Sequence, residues 1–96
     1  MYMMTKTYQD AYGDVEISCC DFPSGAILVR ANGHALNEMQ YADMDTGYPY
    51  ICIDHAKFDD TIRWMCDMGF IEPTGNRNMT IEQFVLTDYF LSEFGY

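Results

Sequence analysis

The sequence predicts an α+β fold: a single antiparallel, strongly twisted sheet of five to six strands, with one main helix (about 57–68) packed on one face. Two observations favour this class. Short segments in which apolar and polar residues alternate recur through the first half of the chain and again near its end, as in half-buried strands. Between them lies one segment with the 3.6-residue periodicity of an amphipathic helix. A length of 96 residues fits one domain, 1–96.

The first half of the chain is a series of predicted strands separated by turn signals. We expect strands at 1–8, 15–19, 26–31 and 48–53. Residues 9–14 are polar around a glycine and predict the first turn. Asn32 with Gly33 is the standard signal of a two-residue hairpin. Residues 35–42 fit either a strand or a helix by spacing, and the hairpin signal before them favours a strand.

The predicted helix divides into an apolar face and a charged face. At about 100° per residue, one arc carries Phe58, Ile62, Met65, Cys66 and Met68. The opposite arc carries Asp59, Asp60, Arg63 and Asp67. The first arc has to pack on the sheet, whereas the second faces water. Trp64 lies at the border between them, and Gly69 is suited to end the helix with a positive φ.

The residues after the helix are expected to form a loop and a last strand. Residues 70–78 contain several turn formers, which predict a loop. The segment 82–91 is rich in β-branched and aromatic residues, which favours a final strand. Thr80 and Gln83 have the spacing of a capping box, so a helix is the alternative for residues 80–91.

The charge balance restricts the classes of partner. Fifteen acidic residues and five basic ones give a net charge of −10. Such a chain repels phosphate backbones and anionic membrane surfaces, so we expect neither direct nucleic-acid binding nor membrane binding. A partner that is attracted over long range has to be basic. The alternative is that the acidity only keeps an aromatic-rich protein in solution.

The apolar segments and the cysteines indicate the compartment. No apolar run reaches the roughly 18 residues of a membrane span, and the first residues lack the apolar stretch of a secretory signal. We therefore expect a cytoplasmic protein. The cysteines show no regular disulfide framework and are expected to be buried or half-buried thiols: Cys19, Cys20, Cys52 and Cys66.

No motif predicts a cofactor, a metal site or a catalytic residue. Residues 43–54 match the EF-hand spacing at the first, third and twelfth positions, but Gly47 and Tyr48 stand where that loop needs an oxygen ligand and a glycine. His34 and His55 have no metal-ligand spacing to each other or to the cysteines. A Cys–His pair brought together by folding keeps a small metal- or thiol-dependent enzyme as an alternative.

The C-terminal half resembles a family of short bacterial proteins that is classed as a domain of unknown function. The matching features are a Gly-Tyr-Pro-Tyr entry to a strand at 47–50, a helix that ends in Met-Gly-Phe at 68–70, the run Ile-Glu-Pro-Thr-Gly at 71–75, and an aromatic strand at 84–90. Members occur on plasmids, conjugative elements and phages. The resemblance implies a mobile-element setting and an α+β fold, and it carries no functional residue over to this chain.

Together, charge and resemblance predict a small acidic, non-enzymatic protein that presents a carboxylate face to a basic, nucleic-acid-binding host protein. The carboxylates expected to stand in for phosphates are Asp43, Asp45, Asp59, Asp60 and Asp67. Trp64 is expected to anchor the contact, because tryptophan is enriched at the energetic centres of interfaces. The chain is expected to be a monomer or a homodimer, and a homodimeric interaction domain without a charged target is the second reading.

Overall fold

The computed structural model of the chain describes residues 3–11, 13–21, 27–38 and 48–96. Its elements, in order, are β1 (Met3–Asp10), β2 (Gly13–Asp21), β3 (Ile27–Ala31), β4 (His34–Ala35), β5 (Tyr50–Asp54), α1 (His55–Asp67), β6 (Ile71–Asn78), β7 (Ile81–Leu86) and α2 (Asp88–Glu93). Within these residues the strands form two antiparallel sheets, ordered β1-β2-β3-β4 and β5-β7-β6. The predicted α+β class is confirmed, and the predicted single sheet is wrong.

The last strand of the first sheet is short, because the side chain of Asn37 takes backbone hydrogen bonds of β3 that a longer strand would make. Asn32 and Gly33 form the predicted hairpin turn with φ of 51° and 83°, and β4 pairs with β3 over two residues only. Beyond that point the Asn37 side chain accepts a hydrogen bond from the Val29 N–H and donates one to the Ile27 carbonyl, both 2.8 Å long. The strand expected at 35–42 therefore stops at Ala35, and residues 39–42 lie outside the described residues.

The second sheet contains a strand where the composition predicts a loop. Most of the segment expected to be a loop, 70–78, is β6, an edge strand that pairs with β7. Its turn formers are accommodated because the register shifts between Pro73 and Arg77, and the irregularity encloses Gly75 with φ of 92°. Pairing with β7 thus outweighs the local turn preference. Since β7 lies between β5 and β6, this sheet has three strands among the described residues.

The helix α1 starts two residues earlier than expected and ends where the sequence predicts. Asp54 is its N-cap, and the Asp54 carboxylate accepts a hydrogen bond of 2.9 Å from the Ala56 N–H. Phe58 has non-helical angles (φ −133°, ψ 32°), so the first turn is kinked relative to the rest. At the other end Gly69 has φ of 76°, and the Phe70 N–H bonds back to the Met65 carbonyl at 2.9 Å, as in a Schellman motif.

The last predicted strand is also shorter than expected. Strand β7 ends at Leu86, and the chain then enters α2. The capping residue is Thr87, whose hydroxyl accepts from the Phe90 N–H at 3.2 Å and donates to the Gly69 carbonyl at 2.6 Å. The expected strand through residue 91 and the alternative helix from Thr80 are both wrong, because the cap lies seven residues later.

An aromatic cluster joins the first sheet to both helices. The completely buried Phe70 ring packs on Tyr8 of β1 at 5.2 Å and on Trp64 of α1 at 5.8 Å, both edge-to-face. It also contacts Tyr89 and Phe90 of α2 at 5.4 and 5.5 Å. Aromatic pairs of this kind contribute beyond the area that they bury. The cluster therefore fixes the outer face of α1 beside the end of β1.

No helix in the described part of the chain has the length and apolar character to cross a bilayer.

Candidate functional site: an acidic groove beside Trp64

The side chains most suited to binding meet in a groove between α1 and the end of β1. This groove, here called the acidic groove, has a volume of about 430 Å³ and is lined by Asp10, Asp60, Arg63, Trp64 and Asp67. The lining thus combines three carboxylates, one aromatic ring system and the guanidinium of Arg63, which is bonded to Asp59. Carboxylates bind ammonium and guanidinium groups, and the face of tryptophan attracts the same cations. The lining is therefore chemically suited to a basic side chain.

The groove residues on α1 are brought together by helical spacing. Asp60, Trp64 and Asp67 follow one another at i, i+4 and i+7, so they form one stripe along α1. Trp64 is half-buried, because its ring packs edge-to-face on Tyr8 at 5.8 Å and on Phe70 at 5.8 Å. These contacts hold the indole in place while part of it lines the groove.

The first sheet contributes Asp10. Along β1 the half-buried residues are Met4, Lys6 and Tyr8, and Asp10 is the next residue in this alternation. It therefore lies on the side of β1 that faces the helices, at the point where the strand ends. The polar composition of residues 9–14 predicts a turn, so sequence reasoning does not identify Asp10 as a binding residue. Extending the alternation by two residues is the signal that points to it.

The structure brings three of the six predicted binding residues together. Asp60, Trp64 and Asp67 line the acidic groove. Asp59 is one residue before Asp60 and therefore lies about 100° further round the helix. Its carboxylate contacts two basic side chains, His55 at 3.0 Å and Arg63 at 3.1 Å. Asp43 and Asp45 lie outside the described residues.

Among the described residues, none of the groove carboxylates forms an ion pair, although Arg63 lies in the same lining. Four of the five basic side chains are bound to other acids: Lys6 to Glu93, Lys57 to Glu38, Arg63 to Asp59, and Arg77 to Glu82. The fifth, Arg30, is exposed on β3. Among the described residues, no ion pair includes Asp10, Asp60 or Asp67. Arg63 does line the groove, but its guanidinium is bonded to Asp59.

A second group of charged side chains surrounds His55 at the start of α1. Its Nδ1 lies 3.0 Å from Asp59 and its Nε2 lies 2.6 Å from Glu82. Because a carboxylate only accepts hydrogen bonds, both ring nitrogens have to donate, which requires the imidazolium form. Donating these hydrogen bonds to Asp59 and Glu82 accordingly raises the pKa of His55, and accepting the one from His55 lowers the pKa of Asp59. These charges are satisfied internally.

Neither a metal-ligand cluster nor a disulfide is found in the described residues. They contain no group of three His, Cys, Asp or Glu side chains placed to hold a metal ion. No disulfide joins the cysteines, and Cys19 and Cys52 are buried. Burial raises the pKa of Cys19 to about 12, so its thiol stays protonated at neutral pH. His55 cannot serve as a base while both of its nitrogens are bonded to carboxylates.

Comparison with known proteins adds no relative: no protein-family model, curated protein or solved structure matches the chain. The resemblance carried by residues 68–75 therefore stays a prediction.

Proposed function

We propose that this protein is a non-enzymatic binding protein that holds a basic segment of another protein in the acidic groove. The observation that carries the proposal is the set of three carboxylates, Asp10, Asp60 and Asp67, gathered around the chain's single tryptophan with no cation bound to them among the described residues. An incoming arginine or lysine supplies that cation and meets the indole of Trp64. The net charge of −10 steers a basic partner toward the surface.

In its most specific form, the partner is a nucleic-acid-binding host protein, and the groove carboxylates occupy positions that it normally offers to phosphates. This version is supported by the net charge and by the mobile-element setting that the resemblance implies. It predicts competition: the protein displaces DNA from its partner, and the displacement weakens as salt screens both interactions.

The groove is tested with a defined basic probe, an acetylated and amidated octapeptide in which arginine alternates with threonine. Because Trp64 is the only tryptophan, its fluorescence reports binding in the groove directly. The double variant Asp60→Asn/Asp67→Asn is expected to bind at least about tenfold more weakly, since each charge-assisted contact contributes about 1.5–3 kcal/mol.

A matched control separates the groove from overall charge. Glu16→Gln/Glu72→Gln removes the same number of charges from exposed side chains that do not line the groove. It is expected to bind the peptide nearly as well as the unmodified protein. Equal losses in the two double variants refute the groove, because binding then follows net charge alone.

A further inference from the structure

Among the described residues, the outer edge of β1 is a regular strand edge to which no other strand is paired. Within the described residues β1 is the end strand of its sheet, and no other strand pairs with its outer side. It pairs with β2 over eight consecutive residues, from Met3 to Asp10, without a register shift. Its sequence contains neither proline nor glycine. An edge of this kind is a template for pairing with another chain.

The direction of its backbone groups follows from the neighbouring strand. The Glu16 N–H donates to the Asn32 side chain at 2.9 Å, and the Glu16 carbonyl accepts from the Asn32 N–H at 2.7 Å, so both groups point toward β3. Glu16 lies opposite Thr7 in the β1–β2 register. In an antiparallel pair, opposite residues share one bonding pattern, so the N–H and carbonyl of Thr7 point away from β2. By alternation, the backbone groups of Thr5 and Gln9 also point outward.

The other sheet edges in the described residues are shortened, covered or interrupted. Strand β4 has two residues, and β5 receives a hydrogen bond of 2.7 Å at the Cys52 carbonyl from the Glu38 N–H. Strand β6 carries Pro73 and a register shift before Arg77. These are the features by which proteins prevent pairing at edges. Their absence from β1 sets this strand apart.

The one lysine of β1, Lys6, forms its contacts within the molecule. Lys6 is the only basic residue of β1, and its ammonium lies 3.7 Å from Glu93 of α2 and 5.8 Å from the Phe94 ring centroid. It is therefore drawn to the side of the sheet that faces the helices. The side chains on the opposite side of β1 are uncharged, and they include Thr5, Thr7 and Gln9.

We infer that β1 is the docking edge for an extended basic segment of another protein, which adds to the first sheet as a further strand and carries a basic side chain into the acidic groove. The inference rests on the proposed function, because Asp10 belongs both to β1 and to the groove. Strand addition provides backbone hydrogen bonds, and the groove provides charge selection. A second copy of this chain is the weaker occupant, because it brings another net charge of −10 to the same edge.

Backbone methylation of the alternating peptide tests strand addition without changing its charge. In an extended strand the N–H groups of the arginines point to one edge and those of the threonines to the other. Two peptides are therefore compared with the unmethylated one: the first is N-methylated at every threonine and the second at every arginine. Affinity is read from Trp64 fluorescence.

Strand addition predicts that one methylated peptide, and only one, loses at least about tenfold in affinity, because its methyl groups face β1. In antiparallel pairing with the arginines toward the groove, the threonine-methylated peptide is the one that loses affinity. Loss by the arginine-methylated peptide alone indicates parallel pairing and supports strand addition equally. Equal affinities of the two methylated peptides overturn the inference. The groove proposal still stands in that case, provided that the Asp60→Asn/Asp67→Asn variant has lost binding.

A protein variant provides an independent readout. Thr7→Pro removes an outward N–H and no hydrogen bond to β2, so the fold tolerates it at this edge. It is expected to weaken peptide binding about tenfold, whereas Thr7→Val, which keeps the N–H, binds nearly as the unmodified protein. Circular dichroism checks that both variants are folded. A dimer that Thr7→Pro converts to monomer in sedimentation equilibrium overturns the inference, because a second copy then occupies the edge.

Discussion

Asp67 has a charge that the helix does not need, and removing it should stabilise the protein. It is the last residue of α1, where the unsatisfied carbonyl groups carry partial negative charge, and the last turn contains no basic residue. Asp67 forms no ion pair among the described residues that would be lost with the charge. Asp67→Asn is therefore expected to increase the free energy of unfolding by about 0.3–1 kcal/mol. For a domain of this size, each kcal/mol raises the melting temperature by about 4–8 °C.

The assay is urea unfolding followed by circular dichroism, at low salt and near 1 M salt. The gain should shrink at high salt, where the Debye length falls to about 3 Å. Asp88→Asn is the matched control, for which the change in the free energy of unfolding has the opposite sign. Asp88 begins α2 and lies where helical N–H groups favour a negative charge. It should lose stability under the same conditions. A loss of stability in Asp67→Asn, or a gain that salt does not change, refutes the electrostatic reasoning.

Two further predictions concern the charged cluster and the core. Since Asp59 and Glu82 raise the pKa of His55, the stability that its protonated form contributes is complete below about pH 6.5 and is lost as pH rises through the elevated pKa. Urea midpoints measured from pH 6 upward should therefore fall in the unmodified protein and stay flatter in His55→Gln; parallel profiles contradict this. Phe70→Ala removes a ring with no exposed surface and four aromatic neighbours, and should cost about 3–5 kcal/mol. Phe70→Leu should cost much less by the same measurement, and similar losses argue against a cavity as the cause.

The sequence predicts those parts of the fold that local spacing determines. The apolar arc of the helix recurs in the structure, with Ile62 and Met65 buried and Phe58 packed against the core. The hairpin at Asn32 and Gly33 needs only the φ angles of two residues, so it was predictable as well.

Elements that depend on a distant partner were not predictable in this way. Strand β6 has the composition of a loop and becomes a strand because β7 pairs with it around a register shift. The fourth strand of the first sheet is cut short by the side chain of Asn37, which bonds to β3 eight and ten residues away in sequence. Neither effect leaves a periodic signal in the sequence.

In the candidate site, too, local spacing is visible in the sequence and contacts between distant residues are not. The i, i+4, i+7 spacing of Asp60, Trp64 and Asp67 is visible in the sequence, whereas their meeting with Asp10 depends on Tyr8 packing against Trp64. Asp59 shares the charged arc in the sequence but is neutralised in the structure, because His55 and Arg63 lie four residues before and after it. Helical periodicity identifies a charged face, and only the contacts identify which of its charges remain without a counter-ion.

The groove and the β1 edge together restrict the kind of partner more than either does alone. A folded basic surface could neutralise Asp60 and Asp67, but it leaves the outward N–H and carbonyl groups of β1 to water. A neutral strand could pair with β1 and would leave the groove carboxylates without a cation. Asp10 ends the strand and begins the groove, so both requirements are met by one continuous segment. An extended chain with alternating basic residues satisfies the two surfaces at once, because alternate side chains of a strand point to the same face.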